Sequence, residues 1–540
     1  MSNKYDIIFF NKSIIFGDNN RLYKLLFFTT FSILWGIYSA SLGQPDSGDQ
    51  LYYHYYSAQS FLSGTFLHSI AAGGLSGYNN PLIYFPFVFA VNNLSSSFIL
   101  FLIGVWQSLN FILVFQIINT INSDMKYWRV AINIITVIYT FTTPIILMET
   151  GRTFADDWAS VPFLLGIYLI VKNSKNIKII AFATFLMGVS SGLKMTNVPL
   201  AAAFGIIFAA FSFKPRDVFI AGVSMLFGFF ISTGWWFIYI YIHFGSPVFP
   251  YYNKIFRSPL YPPINFHDTR WRLNSLADLP KLPIQMARGT TSVVESTYRC
   301  SHWLVFWIVA SMAFVVRVSK CISLRGLALS DRALLPFFCG TAFVVWAMTF
   351  HYVRYLMVAD FVLPVALTIL IIDLSGSGRA TFVTLSILTA LSGAVDHYLP
   401  SSWARVPSSG RWYHIPNLRI PANSSVILGN GIAFIEKALP PSTTMIGIGT
   451  NYFFAGLRSD GGTPKILNKI NNALWKSPNK VYEISLLSLP ETFNSKQVDQ
   501  QFGFLYRPQA CQIALTNLGK LSICHLSPEH KQAPPHRLWR

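Results

Sequence analysis

Charged side chains are scarce in this chain. Asp, Glu, Lys and Arg together make up 12% of its 540 residues, about half the share found in soluble domains. That scarcity excludes an ordinary water-exposed fold. Cysteine is sparse too, with five in the whole chain, so neither a disulfide scaffold nor a Cys-rich metal site is implied. The sequence shows no internal self-similarity of the kind that marks many transporters and no evident organelle signal. What is present is apolar: 52% hydrophobic and 16% aromatic residues, with a mean hydropathy of +0.44. The net charge of +19 raises the question of nucleic acid. However, the Lys and Arg residues fall in short clusters between apolar runs rather than along one soluble face, so no nucleic-acid partner is expected.

A spanning helix needs roughly 20 mostly apolar residues. About eleven runs qualify on that criterion, starting near Leu22, Ser97, Val130, Trp158, Ile179, Val198, Val218, Trp303, Leu334, Tyr355 and Ala380. Positive residues are retained on the cytoplasmic side. With Lys4, Lys12, Arg21 and Lys24 inside, every second connection should be basic, and each is: Lys126 and Arg129, Lys172 to Lys178, Lys214 and Arg216, Arg317 to Arg332, and Arg379. The outer segments are then 43–96, 149–157, 194–197, 243–302 and 351–354.

The expected fold is a mainly α, polytopic transmembrane bundle over residues 22–398, after a cytoplasmic N-terminus at 1–21. A small extracytoplasmic α/β domain follows over 399–540. Its strands read as Ser424 to Leu428, Thr444 to Ile448 and Val481 to Leu487, and its helical stretches as Ile432 to Ala438 and Lys465 to Trp475. Cys511 and Cys524 flank a hairpin turn around Asn517-Leu-Gly519. They form either a disulfide in an oxidising compartment or two buried thiols.

The conspicuous acids collect on the outer face. Asp46 and Asp49 lie just beyond the first helix, where an Asp above an apolar bundle is suited to accept a proton from a hydroxyl; a helix cap in a solvated turn is the plainer reading. Glu149, Asp156 and Asp157 surround the next outer turn and are placed to hold a divalent cation such as Mg²⁺ or Mn²⁺, or to cap the following helix. Lys194 interrupts an apolar stretch, as a functional or paired cation does, or as a snorkelling one. Arg270 and Arg354 are candidate phosphate contacts. The remaining bases of the long outer loop suit membrane lipid headgroups.

Several motifs, each weak alone, span most of the membrane region: Pro45-Asp-Ser47 with Tyr53-His54, Tyr78-Asn-Asn-Pro-Leu82, Gly192-Leu-Lys-Met-Thr-Asn197, and Phe244-Gly-Ser-Pro-Val-Phe-Pro-Tyr-Tyr-Asn253. This arrangement resembles the GT-C superfamily of polytopic glycosyltransferases, and within it a bacterial group of largely uncharacterised members. The resemblance implies inverting transfer of a sugar from a polyprenyl-phosphate donor to a glycan or lipid acceptor at the periplasmic face of the inner membrane. It also implies an outer-loop base, Asp46 or Asp49, with His54, Lys194, Arg270 and Arg354 binding substrate. A multi-pass transporter or lipid-glycan flippase is the alternative, and a non-catalytic envelope assembly factor a third.

Overall fold

The structure is a computed structural model that describes residues 21–529 apart from 126, 212–213, 267, 269, 272, 274, 321–330, 399–402, 409, 449–463, 490–501, 508 and 510. The expectations resting on Lys4, Lys12, Lys126 and Arg325 therefore lie outside the described residues.

Helices occupy all eleven expected positions. Among the described residues, six are long and apolar enough to cross a membrane. They are α1 (Arg21–Ser41), α4 (Ser96–Ile121), α10 (Pro215–Phe244), α13 (His302–Lys320), α15 (Met357–Ser375, extended by a 3-10 turn from Val353) and α16 (Gly378–Val395). The other five are α5 (Arg129–Phe141), α7 (Ala155–Lys172), α8 (Ile177–Leu193), α9 (Val198–Phe211) and α14 (Leu334–Thr349). Short helices fill the connections: α2 (Tyr56–Leu62), α3 (Phe85–Asn93), α6 (Pro144–Glu149), α11 (Asn253–Phe256) and α12 (Leu282–Arg288).

Burial separates a central helix from peripheral ones. In the α15 span 89% of the apolar window is buried, against 11% for α1 and 22% for α10. The outer helices instead expose rows of large apolar side chains, such as Leu226, Phe227, Phe230 and Ile231 of α10 and Leu22, Leu25 and Leu26 of α1. Apolar patches of that extent are unstable in water and stable in lipid, so the chain is an integral membrane protein.

Two helices approach closely where small residues recur at four-residue spacing. A Cβ on Gly188 of α8 would collide with the Met225 carbonyl oxygen, and one on Gly228 of α10 with that of Phe185. Without a hydrophobic drive between helices in lipid, such contact is what packing rests on. Asn80, from the Tyr78-Asn-Asn-Pro motif, locks the same pair by donating to the carbonyls of Gly192 and Ser232, each at 3.0 Å. Trp236 donates to the Tyr78 carbonyl at 2.9 Å. The loop motif is thus a clamp across α8 and α10.

The C-terminal region contains the expected mixed α/β unit. A six-stranded sheet runs in the order β6 (Thr444–Ile446), β5 (Ser425–Leu428), β7 (Val481–Leu486), β10 (Gly519–Pro528) and β8 (Phe504–Leu505), with β9 (Cys511–Thr516) also on β10. β5 is parallel to β6 and β7, whereas β10 is antiparallel to its neighbours. Helix α17 (Pro464–Trp475) covers it through Ile466, Leu467, Ile470 and Leu474. The stretch expected to be helical at 432–438 is a 3-10 segment, Ala433–Ala438. Cys511 and Cys524 are paired across the β9–β10 hairpin as a disulfide.

This unit does not stand apart from the bundle. Ile427, Ile446 and Leu474 share one apolar cluster with Phe66 and Tyr78 of the first loop and with Trp236 and Phe244 of α10. Ser63 and Thr65 donate to the buried carboxylate of Glu436. Two further ladders join distant segments: β1 (Gln44–Asp46) pairs with β4 (Ala404–Val406), and β2 (Tyr298–Arg299) with β3 (His397–Tyr398).

Substituting Gly188→Leu should force α8 and α10 apart and lower the unfolding temperature of the detergent-solubilised protein, at a cost of about 1–3 kcal/mol or more. Gly222→Ala, where a Cβ meets nothing within 4 Å, should leave it unchanged. Equal midpoints for both variants would remove the close approach as a stabilising contact.

Candidate functional site

The segments following α1, α6, α8 and α14 meet at one end of the bundle. After α1 the chain forms β1, where Gln44 donates to the Trp412 carbonyl at 2.9 Å. It then turns through Ser47, whose carbonyl accepts from the backbone of Gln50 and Leu51, into a π-helical turn at Gln50–His54. Asp46 thus ends a strand and Asp49 precedes the π-turn, so two acids three residues apart reach different surroundings.

Asp49 meets Arg354, with 3.0 Å between its Oδ2 and Nη2. Its carboxyl is pushed up by burial, but Arg354 outweighs this with help from Lys194, leaving it below its ordinary range. Asp46 shows the reverse. Burial raises its carboxyl, and its Oδ1 is buried without a hydrogen-bond partner. Neighbouring acids driven in opposite directions are a common basis for divided roles.

Arg354 is 5% exposed and ringed by aromatic faces. Its guanidinium carbon lies 3.9 Å from the Phe154 ring centroid, 5.0 Å from Tyr352, 5.5 Å from Trp403 and 6.0 Å from Tyr355. Its Nε and Nη1 are buried without a hydrogen-bond partner. The second cation is close by: Lys194 Nζ lies 5.8 Å from the Tyr355 centroid and 3.1 Å from Asp156 Oδ2. The break that presents Lys194 between α8 and α9 is held by Asn197, which donates to Ser190 Oγ at 3.0 Å; Ser190 in turn donates to the Ala159 carbonyl at 2.6 Å.

His54 packs against the same group. Its Nδ1 lies 2.8 Å from Thr153 Oγ1, and its ring stacks on Tyr84 at 4.7 Å. Burial, together with Lys194 and Arg354, pushes its imidazole well below the ordinary value against the pull of Asp49, so it is neutral at physiological pH. The structure therefore gathers Asp49, His54, Asp156, Lys194 and Arg354. Glu149 is fully buried beside them, with both carboxylate oxygens lacking hydrogen-bond partners. Asp157 lies deeper, on the α4–α7 contact, where Asn110 holds its carbonyl at 2.9 Å. Arg270 sits at the rim, in a part-exposed pair with Asp268 at 2.6 Å and over Trp271 at 5.2 Å. Trp271 packs on Tyr352 at 5.0 Å.

Glu149, Asp156 and Asp157 are not a group of three whose ligand atoms all lie within 4.8 Å of one another. Among the described residues, the group whose ligand atoms all lie within 4.8 Å of one another is Cys300, His302 and Asp396, and Lys194 stands directly against Asp156. The sequence also left out residues that complete the site from far along the chain. Arg405 donates to the carbonyls of Gly43 at 3.1 Å and Thr150 at 2.5 Å. Arg152 lies 5.3 Å from the Trp403 ring, and Glu295 accepts from the Tyr352 hydroxyl at 2.6 Å. The Trp403-Ala-Arg405 run in an otherwise polar connection was the available signal.

Removing one member of the Lys194–Asp156 pair strands a buried charge, which typically costs about 3–5 kcal/mol. Lys194→Met should therefore lower the unfolding temperature sharply, and Lys194→Met with Asp156→Asn should recover most of the loss. A double variant no more stable than the single one would show that the pairing is not what Lys194 contributes.

No family model and no curated protein sequence matches this chain. Among solved structures, it is similar to ArnT from Cupriavidus metallidurans bound to undecaprenyl phosphate, with a TM-score of 0.47 and 10% identity, over 95% of this chain and 99% of that one.

Proposed function

We propose that this protein is a membrane glycosyltransferase that takes a sugar from a polyprenyl-phosphate donor and transfers it, with inversion, to a hydroxyl of a glycan or lipid acceptor. The reaction is placed at the periplasmic face of a bacterial inner membrane, with the C-terminal unit on that side. The observation that carries the reading is the pair of cations, largely buried Lys194 and buried Arg354, that both lie near the Tyr355 ring, with two Arg354 donors unpartnered. Buried N–H donors of a guanidinium favour a planar or tetrahedral oxyanion, and membrane helices beside them suit a lipid tail.

Phosphate leaves readily when its charge is stabilised, so the donor needs cations more than a strong acid. Phosphate binding to Arg354 competes with Asp49 for the guanidinium and releases the carboxylate. Asp49 then takes the acceptor's hydroxyl proton as the acceptor oxygen forms its bond to the anomeric carbon. The bond between that carbon and the phosphate oxygen breaks, and the electron pair leaves with the polyprenyl phosphate, held by Arg354 and Lys194. Arg270 is placed to guide the phosphate at the rim. His54, being neutral, donates or accepts a hydrogen bond without adding charge. Asp46, beside the strand ladder, positions the loop. Mg²⁺ or Mn²⁺ has no assembled ligand set among Glu149, Asp156 and Asp157, so no step is routed through it. The position of the charged groups at one end of the bundle favours chemistry at a surface over passage through the middle.

The test is transfer by purified protein in lipid nanodiscs, using labelled polyprenyl-phosphate sugars and envelope acceptors. Asp49→Asn should lower turnover by roughly 10²–10⁴-fold, and Asp46→Asn by less than about tenfold, since Asp46 takes no proton in the proposed step. Unchanged transfer in Asp49→Asn would sink the base assignment, and movement of intact donor across the bilayer would replace the reaction class.

The pH profile adds a signed prediction. The Asp49 carboxyl is held below its ordinary value, so activity should persist down through the usual carboxylate range near ~4 and fall only below it. In Arg354→Gln, burial acts with its main counterweight removed. The acid limb of kcat/KM should then move to higher pH while KM for the donor rises. An unmoved limb would separate Asp49 from Arg354 in function.

A further inference from the structure

Cys300 and His302 lie where the chain enters α13, and Asp396 lies just past the end of α16. The β2–β3 ladder brings the two strands of chain together there. His302 Nδ1 is 2.8 Å from Asp396 Oδ2 and 3.8 Å from Cys300 Sγ. The side chains of His302 and Asp396 are fully buried, as is Cys300.

The other ring nitrogen fixes the tautomer. Thr142 donates its one hydroxyl hydrogen to the Tyr139 carbonyl at 2.7 Å, so its oxygen accepts from His302 Nε2 at 3.0 Å. The same carbonyl lies 3.3 Å from Nε2. Nε2 therefore carries hydrogen. Nδ1 of a neutral ring then turns a lone pair toward the carboxylate, which already accepts from the Ser301 backbone at 2.7 Å and from Ser301 Oγ at 3.0 Å. Two lone-pair donors at 2.8 Å need a positive centre between them. A proton would serve, giving an imidazolium, but the third convergent donor, Cys300 Sγ, is more than a proton requires.

We infer that Cys300, His302 and Asp396 form a zinc site at the junction of the bundle and the C-terminal unit, with a water or a serine hydroxyl as fourth ligand. Ligand atoms around tetrahedral zinc stand about 3.3–3.6 Å apart, from bond lengths of about 2.0–2.3 Å. Nδ1 and Oδ2 must therefore open slightly and Sγ must close in slightly, which side-chain rotation allows. Binding releases the Cys300 thiol proton to solvent, and the resulting thiolate and carboxylate cancel the charge of Zn²⁺, leaving a neutral buried centre. Nε2–H donating to a hydroxyl and a carbonyl is the outer-shell support that ligating histidines require. Mixed S, N and O donors in a closed site suit zinc over Mg²⁺ or Ca²⁺. The site pins the ends of α13 and α16 and stands apart from the Asp49–Arg354 group.

The experiment uses the full chain with its affinity tag removed, stripped with chelator and then given Zn²⁺ or Co²⁺. Wild type should retain stoichiometric zinc through gel filtration, show thiolate-to-cobalt charge-transfer absorption, and unfold at higher temperature with metal than without. Cys300→Ser should lose the absorption and the stoichiometric zinc, and Thr142→Val should weaken zinc binding about tenfold. Wild type that retains no zinc, or Cys300→Ser that retains as much as wild type, would overturn the site. If Cys300→Ser does not fold, the wild-type cobalt absorption decides, because it requires a thiolate ligand.

Discussion

Removing a guanidinium from water beside an apolar bundle is so unfavourable that the groups around Arg354 are constrained by it. A buried charge persists when a partner of opposite sign and polarisable walls replace its hydration, and here those come from four parts of the chain. Asp49 brings the charge from the first loop. Phe154 comes from the turn before α7, Tyr352 and Tyr355 flank the arginine itself, and Trp403 returns from the connection to the C-terminal unit. The same logic applies a few ångströms away, where Asp156 answers Lys194. The arrangement satisfies the cations without saturating them, which leaves donors for an anionic ligand.

The bundle supports this by fixing the segments that carry these groups. Asn80 ties the first loop to the α8–α10 crossing through carbonyls next to Lys194. Gln107 of α4 grips the turn after α6, accepting from the Gly151 backbone at 2.8 Å and donating to the Glu149 carbonyl at 3.0 Å. The β1–β4 ladder anchors the stretch ending at Asp46. Backbone clamps of this kind hold loop residues as rigidly as helical ones, which a site built on loops requires.

The eleven helical positions were legible because lipid imposes length and hydropathy on each run independently, and the alternating basic connections sorted their ends. The identity of the contacts was less legible. Sequence placed Asp46 and Asp49 together, but only folding separates a strand end facing the C-terminal unit from a turn facing Arg354. It grouped Glu149, Asp156 and Asp157 by proximity, whereas the helical turn at the start of α7 sends Asp156 to Lys194 and leaves Asp157 toward α4. Trp403 and Arg405 were invisible as site residues because they lie hundreds of positions from their partners. The small residues at 188, 192, 228 and 232 could have been read as a helix-crossing motif, and their spacing was the available signal.

The connection between Asp49 and Arg354 spans 305 positions, and the side chain of Gln44 reaches a carbonyl 368 positions later. Synthesis at roughly 5–20 residues per second places about 15–60 s between the emergence of the carboxylate and that of its cation. Through that interval the first loop has neither its ion pair nor its strand partner, and the Asp49–Arg354 pair closes only after Arg354 of the 540 residues has been made. A chain stalled before Arg354 thus holds the Asp49 carboxylate without the guanidinium that answers it.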